Sequence, residues 1–181
     1  MPGALKTSTL GILLLLFGCS AQQTGSPQLA LKLLPPAEAS VAVLFEQKLT
    51  LKTSERQQKF LLVARFDKDR LKMALLSPSG LQLLLLDYDG ETLVQESSFS
   101  IDVPGKEILA IIQFAMWPEQ SVKNHYSENN GWLVEITADS RILLTVDKVI
   151  LKIEFRDGML IIDNYLRNYR VLVHTLKRKE L

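Results

Sequence analysis

Residues 43–66 read VLFEQKLTLKTSERQQKFLLVARF, and their spacing decides the fold. Val43, Phe45, Leu49 and Leu51 fall on one side of a period-two pattern. Glu46, Lys48, Thr50 and Lys52 fall on the other. Such alternation marks a half-buried antiparallel strand. Ser54 to Gln57 supplies a turn, and a second strand over Lys59 to Phe66 puts Phe60, Leu62, Ala64 and Phe66 on one face. Downstream, Asp67-Lys68-Asp69 is a tight polar turn and Leu71, Met73 and Leu75 continue as a third strand. Ser77-Pro78-Ser79-Gly80 breaks it, because proline and glycine fix turn geometry. Leu81 to Tyr88 is a fourth strand, apolar on both faces from Leu83 to Leu86. Asp89-Gly90 is a hairpin signal, and Glu91 to Ser98 returns as a polar edge strand.

The period then changes. Between Pro104 and Trp117, Ile108, Ile111, Ile112 and Ala115 recur at helical spacing, with Leu109 and Met116 on the flank. Few polar residues interrupt them, which predicts a mostly buried helix. Trp117-Pro118 ends it, and Pro118 opens a second short helix towards Tyr126. After a polar loop over Ser127 to Gly131, alternation resumes at Trp132 to Ile136, Ile142 to Val146 and Val149 to Phe155. Asp157-Gly158 is a further hairpin signal. Met159 to Ile162 and Tyr169 to Leu176 complete the run, and Lys177-Arg178-Lys179 reads as a solvated basic tail. The expected fold is mainly β, of α+β type. About ten or eleven antiparallel strands form a curved sheet or incomplete β-barrel, with a helical insert on the concave side.

The chain holds 21 Lys and Arg against 20 Asp and Glu, a net charge of +1. That balance argues against nucleic acid as a partner. The carboxylate pairs Asp67/Asp69 and Asp87/Asp89 flank turns, where aspartate bonds its own backbone. His125 and His174 show no metal-ligand spacing, and there is no G-x-S-x-G elbow. No catalytic residue, metal site or cofactor is expected, and the chain is read as a non-enzyme. Tyr165, Arg167, Tyr169 and Arg170 fit either a polar cavity mouth or a solvated strand face. Leu83 to Leu86 fit a lipid cavity or an ordinary core strand equally well.

Upstream of the sheet, residues 20–40 include Gln22-Gln23-Thr24-Gly25-Ser26-Pro27 and Pro35-Pro36, a tether composition. Leu29, Leu31, Leu33 and Leu34 interrupt it and are candidates to dock on the domain. Before the tether stand a short region whose one charge is Lys6 and an apolar run from Leu10 to Phe17. That length suits a secretory signal peptide, not a permanent membrane span. Its end, Leu16-Phe17-Gly18-Cys19, resembles a bacterial lipobox. The resemblance implies cleavage after Gly18 and acylation of Cys19, which is the single cysteine of the chain. Ser20 at the next position implies transfer to the outer membrane. The domains are then a signal peptide at 1–18, a lipidated cysteine and tether at 19–40, and a β domain at 41–181.

The ordered set of a lipobox, a tether, a meander with a Pro-x-Gly turn, a helical insert ending Ala115-Met116-Trp117-Pro118, Gly131-Trp132 and a closing meander over Asn164 to Leu176 resembles the LolB outer-membrane lipoprotein receptors. It is more similar still to an uncharacterised LolB-like lipoprotein family, often encoded beside aryl-polyene or unusual fatty-acid synthesis genes. The resemblance implies a LolA/LolB-like incomplete barrel whose apolar cavity accepts acyl chains. Phe45, Phe60, Leu62, Leu84, Ile108, Ile112, Met116 and Ile153 are the candidate lining. It also implies a protruding loop, which true LolB proteins use as a membrane hook with an exposed leucine between proline and glycine. Here that loop is Pro78-Ser79-Gly80-Leu81, and Ser79 stands where the leucine would be. Leu81 is expected to begin the buried strand. The implied function is an outer-membrane-anchored, periplasm-facing lipoprotein that binds or transfers an acyl or lipid cargo, with a LolA-like periplasmic carrier as a possible partner. The alternative is a scaffold lipoprotein with a filled core.

Overall fold

The structure is a computed structural model and describes residues 30–98 and 104–181. The expected signal peptide, with Gly18 and Cys19, lies outside the described residues. Within them, ten antiparallel strands form one sheet. In chain order these are β1 (Val43–Lys52), β2 (Gln57–Phe66), β3 (Leu71–Leu76), β4 (Gln82–Tyr88), β5 (Leu93–Ser97), β6 (Leu133–Ile136), β7 (Ser140–Leu144), β8 (Val149–Arg156), β9 (Met159–Asn164) and β10 (Tyr169–Glu180). Two helices, α1 (Gly105–Met116) and α2 (Glu119–His125), separate β5 from β6.

The strand order is β5-β4-β3-β2-β1-β10-β9-β8-β7-β6. Two five-strand meanders are therefore joined through one long pairing of β1 with β10. The sheet stays open, with β5 and β6 at its edges. Local chemistry sets most registers. In the β8–β9 turn, Asp157 has φ 44° and Gly158 φ 76°, the paired positive values that a two-residue hairpin requires. Asp67 accepts backbone N–H bonds from Asp69 and Arg70 at 3.1 and 2.8 Å. Asp89 accepts from Glu91 and Thr92 at 2.9 and 2.7 Å. These aspartates are spent on turns, as their positions indicated.

Three expectations shift. The Lys177-Arg178-Lys179 tail is strand: β10 runs to Glu180, and Lys177, Arg178 and Lys179 pair with Glu46, Phe45 and Leu44. A partner strand with free backbone groups extends β10 past its last apolar residue. Leu81 does not begin the buried strand. β4 starts at Gln82, and Leu81 is 53% exposed in the loop. The packed unit also begins earlier than residue 41, because Leu31 and Leu34 are buried in the core.

That core occupies the concave side. Phe45 and Phe66 meet edge to face at 5.1 Å, and Phe66 meets Trp117 at 5.8 Å. A second aromatic row, Phe114–Tyr126–Trp132, ties α1 and α2 to the approach of β6 at 5.6 Å spacings. Such edge-to-face pairs add directional preference to area burial. Among the described residues the core runs from Leu31 to Val173.

A short strap, residues 31–38, crosses the helices. It is bonded by side chains where a strand would use backbone. Gln113 on α1 is fully buried; its Oε1 accepts from Leu34 N–H at 2.9 Å and its Nε2 donates to Leu34 C=O at 2.6 Å. Tyr126 Oη accepts from Lys32 N–H at 2.9 Å and donates to Lys32 C=O at 3.0 Å. Trp117 Nε1 donates to Pro35 C=O at 3.0 Å. Burial raises the Tyr126 pKa well above that of free tyrosine, so the hydroxyl stays protonated and able to donate.

At the end of the strap, Glu38 accepts from Ser121 Oγ and lies 3.1 Å from His125 Nε2. Burial pushes the Glu38 pKa up, but the bonds from Ser121 and His125 outweigh it and the net shift is downward. A lowered carboxylate stabilises the fold above the ordinary value of 4.5 and loses that contribution as pH falls through the folded value. Wild type is therefore expected to melt higher than Glu38→Gln at pH 7. The gap should close as the pH is lowered below 4.5 in melts taken across the acid range. A gap independent of pH would remove the carboxylate from the account.

Candidate functional site

α1 does not lie flat on the sheet. Its first residue, Gly105, is seated against Leu86 of β4 and Gln95 of β5, where a β-carbon would overlap both side chains. At its other end, Arg141 of β7 donates to the carbonyls of Phe114 and Trp117 at 2.8 and 2.6 Å. A cation suits the carbonyl end of a helix. The helix thus bridges the two meanders and leaves space over the central strands.

That space is a cavity of about 470 Å³, within the range of small-molecule sites. Its floor is Leu49 and Leu51 of β1, Phe60 and Leu62 of β2, Leu160 and Ile162 of β9, and Val171 and Val173 of β10. Its roof is the face of α1 carrying Ile108, Ile111, Ile112, Ala115 and Met116. Along β10 the lining runs from Tyr169 to Arg178. Nine strand steps cover roughly 30 Å, so the cavity is a long slot.

The two ends differ. At the Tyr169 end, Asn164 Nδ2 donates to Tyr169 Oη at 3.0 Å and to Glu107 Oε1 at 2.9 Å. Arg167 Nε pairs with Glu107 Oε2 at 2.5 Å. This network joins α1 to the β9–β10 turn and closes that end. Burial and the Glu107 carboxylate raise the Tyr169 pKa, keeping it neutral. At the opposite end the lining residues Arg156, Asp157, Gly158, Met159, Thr175 and Arg178 are exposed, and the cavity meets solvent there.

Of the residues expected to line a cavity, the structure places Phe60, Leu62, Ile108, Ile112 and Met116 on its wall. It does not place Phe45, Leu84 or Ile153 there. They are 2%, 1% and 0% exposed within the packed core. Phe45 shares the concave face with Leu49 and Leu51 but is consumed by Phe66. Sequence reasoning missed Gln113 as the residue that holds the strap, although a polar residue on an apolar helix face is a signal, since burial obliges it to find partners. Tyr169 lines the closed end, whereas Tyr165 is 55% exposed and Arg170 is paired with Asp163 at 2.6 Å.

The Pro78-Ser79-Gly80-Leu81 loop is a closed turn. Ser77 N–H donates to Leu81 C=O at 2.8 Å, and the Ser77 and Ser79 hydroxyls are bonded at 2.8 Å. Gly80, at φ 86°, carries the left-handed residue. Ser79 is spent within the loop, and Leu81 is its exposed apolar side chain. Behind it, Leu61, Leu76, Leu83 and Leu85 stand half-buried on the convex face.

The model of the family described as "Protein of unknown function (DUF3261)" matches residues 45–177. The chain belongs to this family. The DUF3261 match takes in both meanders, α1 and α2, the whole cavity floor and Leu81, with its end one residue short of Arg178. No curated protein matches. Among solved structures, the DUF3261 chain is similar to one described as "The complex structure of Pseudomonas aeruginosa MucA/MucB", at 11% identity and a TM-score of 0.39. That alignment covers 81% of this chain and 54% of the other, so the DUF3261 chain spans about half the length of the solved chain it matches. A likeness this distant does not bear on activity.

Proposed function

We propose that this protein is a non-enzymatic, lipid-handling lipoprotein held at the periplasmic face of the outer membrane, which takes an acyl chain into the slot between α1 and the concave sheet. The observation that carries this reading is the cavity itself, about 470 Å³ with aliphatic floor and roof. An apolar lining of this extent suits an apolar ligand, because binding removes apolar area on both partners from water. Ten buried methylenes would contribute roughly 8 kcal/mol, the scale of a micromolar complex before ordering costs. Cargo held that weakly can be handed on. The LolB-like resemblance belongs to this proposal, with α1 as plug or lid and a LolA-like carrier as a partner. Leu81, not position 79, would supply an apolar contact to the bilayer. The scaffold alternative calls for a filled core, and the cavity weighs against it.

Two measurements test the proposal. The chain from residue 20 onward is expected to take up N-phenyl-1-naphthylamine saturably, with a blue-shifted emission that dodecanoate displaces. Absence of saturable uptake would remove the acyl-cargo reading. Replacing Cys19 with Ala is expected to abolish palmitate labelling and leave the precursor uncleaved; continued labelling would refute the anchor.

A further inference from the structure

The cavity is polarised along its length. Apart from Tyr169, whose hydroxyl is engaged at the closed end, its polar lining residues gather at the solvent end: Gln47, Thr175, Arg156, Asp157 and Arg178. Most of these are already occupied. Gln47 Nε2 donates to Thr175 Oγ1 at 3.2 Å. Arg156 pairs with Glu154 at 3.0 Å, and Asp157 shapes the β8–β9 turn and adds one carboxylate to the rim.

Arg178 differs. Arg65, Arg70, Arg156, Arg167 and Arg170 each pair with a carboxylate. Arg141 holds two carbonyls, and Arg56 also has a partner. Among the described residues Arg178 is the one arginine whose side chain makes neither hydrogen bond nor ion pair. It stands on the concave face of β10, opposite Phe45 in register, at the rim of the apolar slot. A guanidinium there offers a planar fork of donors at the point where a chain threaded into the slot would emerge.

We infer that the cargo is a single-chain amphiphile with an anionic head, its chain lying in the slot and its head group bound by Arg178. This rests on the acyl-cargo reading above and narrows it. A long narrow slot admits one flexible chain, and the one uncommitted cation of the rim selects the charge of its end. Glu154 pairs with both Lys152 and Arg156; with Asp157 these four charges sum to zero and leave Arg178 to set the sign.

The test compares displacement of N-phenyl-1-naphthylamine, a neutral probe, by dodecanoate and by dodecanol, using the chain from residue 20 onward. Dodecanoate is expected to displace at about tenfold lower concentration, as a charge-assisted hydrogen bond would give. Arg178→Gln should weaken dodecanoate about tenfold and leave dodecanol unchanged. Lys177→Gln should change neither, because Lys177 neighbours Arg178 but is paired with Glu46 at 3.7 Å. Lysophosphatidylglycerol in the same assay separates an anionic phospholipid from a free fatty acid, and whichever displaces at lower concentration names the source. Equal displacement by dodecanoate and dodecanol, or equal losses for both in Arg178→Gln, would overturn the inference while acyl binding stands. Failure of both ligands to displace the probe would end both.

Discussion

Replacing Ile112 with tryptophan is expected to reduce uptake of a fluorescent fatty acid at least tenfold and to leave the melting temperature unchanged or raised. Ile112 is on the roof of the slot, half-buried and facing the floor of β1, β2 and β10. In a close-packed core the added rings would be overpacked and destabilising, by about 1–3 kcal/mol. Here they enter the slot and bury apolar area against its floor. Loss of uptake together with retained stability therefore separates a binding cavity from a structural core. Titration of the probe beside a thermal melt reads both quantities. Unchanged uptake would place the ligand elsewhere, and a collapsed melt would mean that α1 is already tightly packed on the sheet.

The largest stability effect is expected from Gln113→Leu. Leucine is close to glutamine in shape but leaves the N–H and C=O of Leu34 buried without partners. Each orphaned group costs about 1–3 kcal/mol. Loss of both is expected to lower the melting temperature by roughly 5–15 °C for a domain of this size. The strap should also become accessible to chymotrypsin at Leu31, Leu33 and Leu34, while the sheet behind it remains folded. A Gln113→Leu protein that melts as wild type and resists chymotrypsin would show that the strap is held by Leu31 and Leu34 burial alone.

The strap also marks where the sequence stops being legible. The strands could be read because each carries its own evidence: period-two alternation in Val43 to Leu51, an Asp-Gly pair at the β8–β9 turn, and aspartates placed to bond the backbone N–H groups two and three residues on. These signals are local, and the sheet order follows once consecutive hairpins are granted. Gln113 and Leu34 are 79 positions apart, and a side chain bonding to backbone leaves no periodic trace. Only the oddity of a buried glutamine hinted at it.

The cavity lining was half legible for a different reason. Phe45 and Phe60 sit on the same face of paired strands, β1 and β2, and nothing in their types distinguishes them. Phe45 is closed off by Phe66, which in turn meets Trp117, while Phe60 faces α1 across the slot. What separates them is the seat of Gly105 on Leu86 and Gln95 and the grip of Arg141 on the far end of the helix. Both are long-range placements. Leu81 was misplaced for a local reason. Its apolar type suits a strand, but the Ser77 N–H bond to its carbonyl closes the loop around it and leaves the side chain outside.

The most direct test of a cargo-binding slot is native mass spectrometry of the chain from residue 20 onward, purified from the periplasm without detergent. The account predicts a stoichiometric adduct of one small amphiphile, lost on organic extraction and absent from Ile112→Trp. A wild-type protein that arrives with the bare mass and also fails to gain dodecanoate when it is supplied would contradict it, and would leave the slot a void without a cargo.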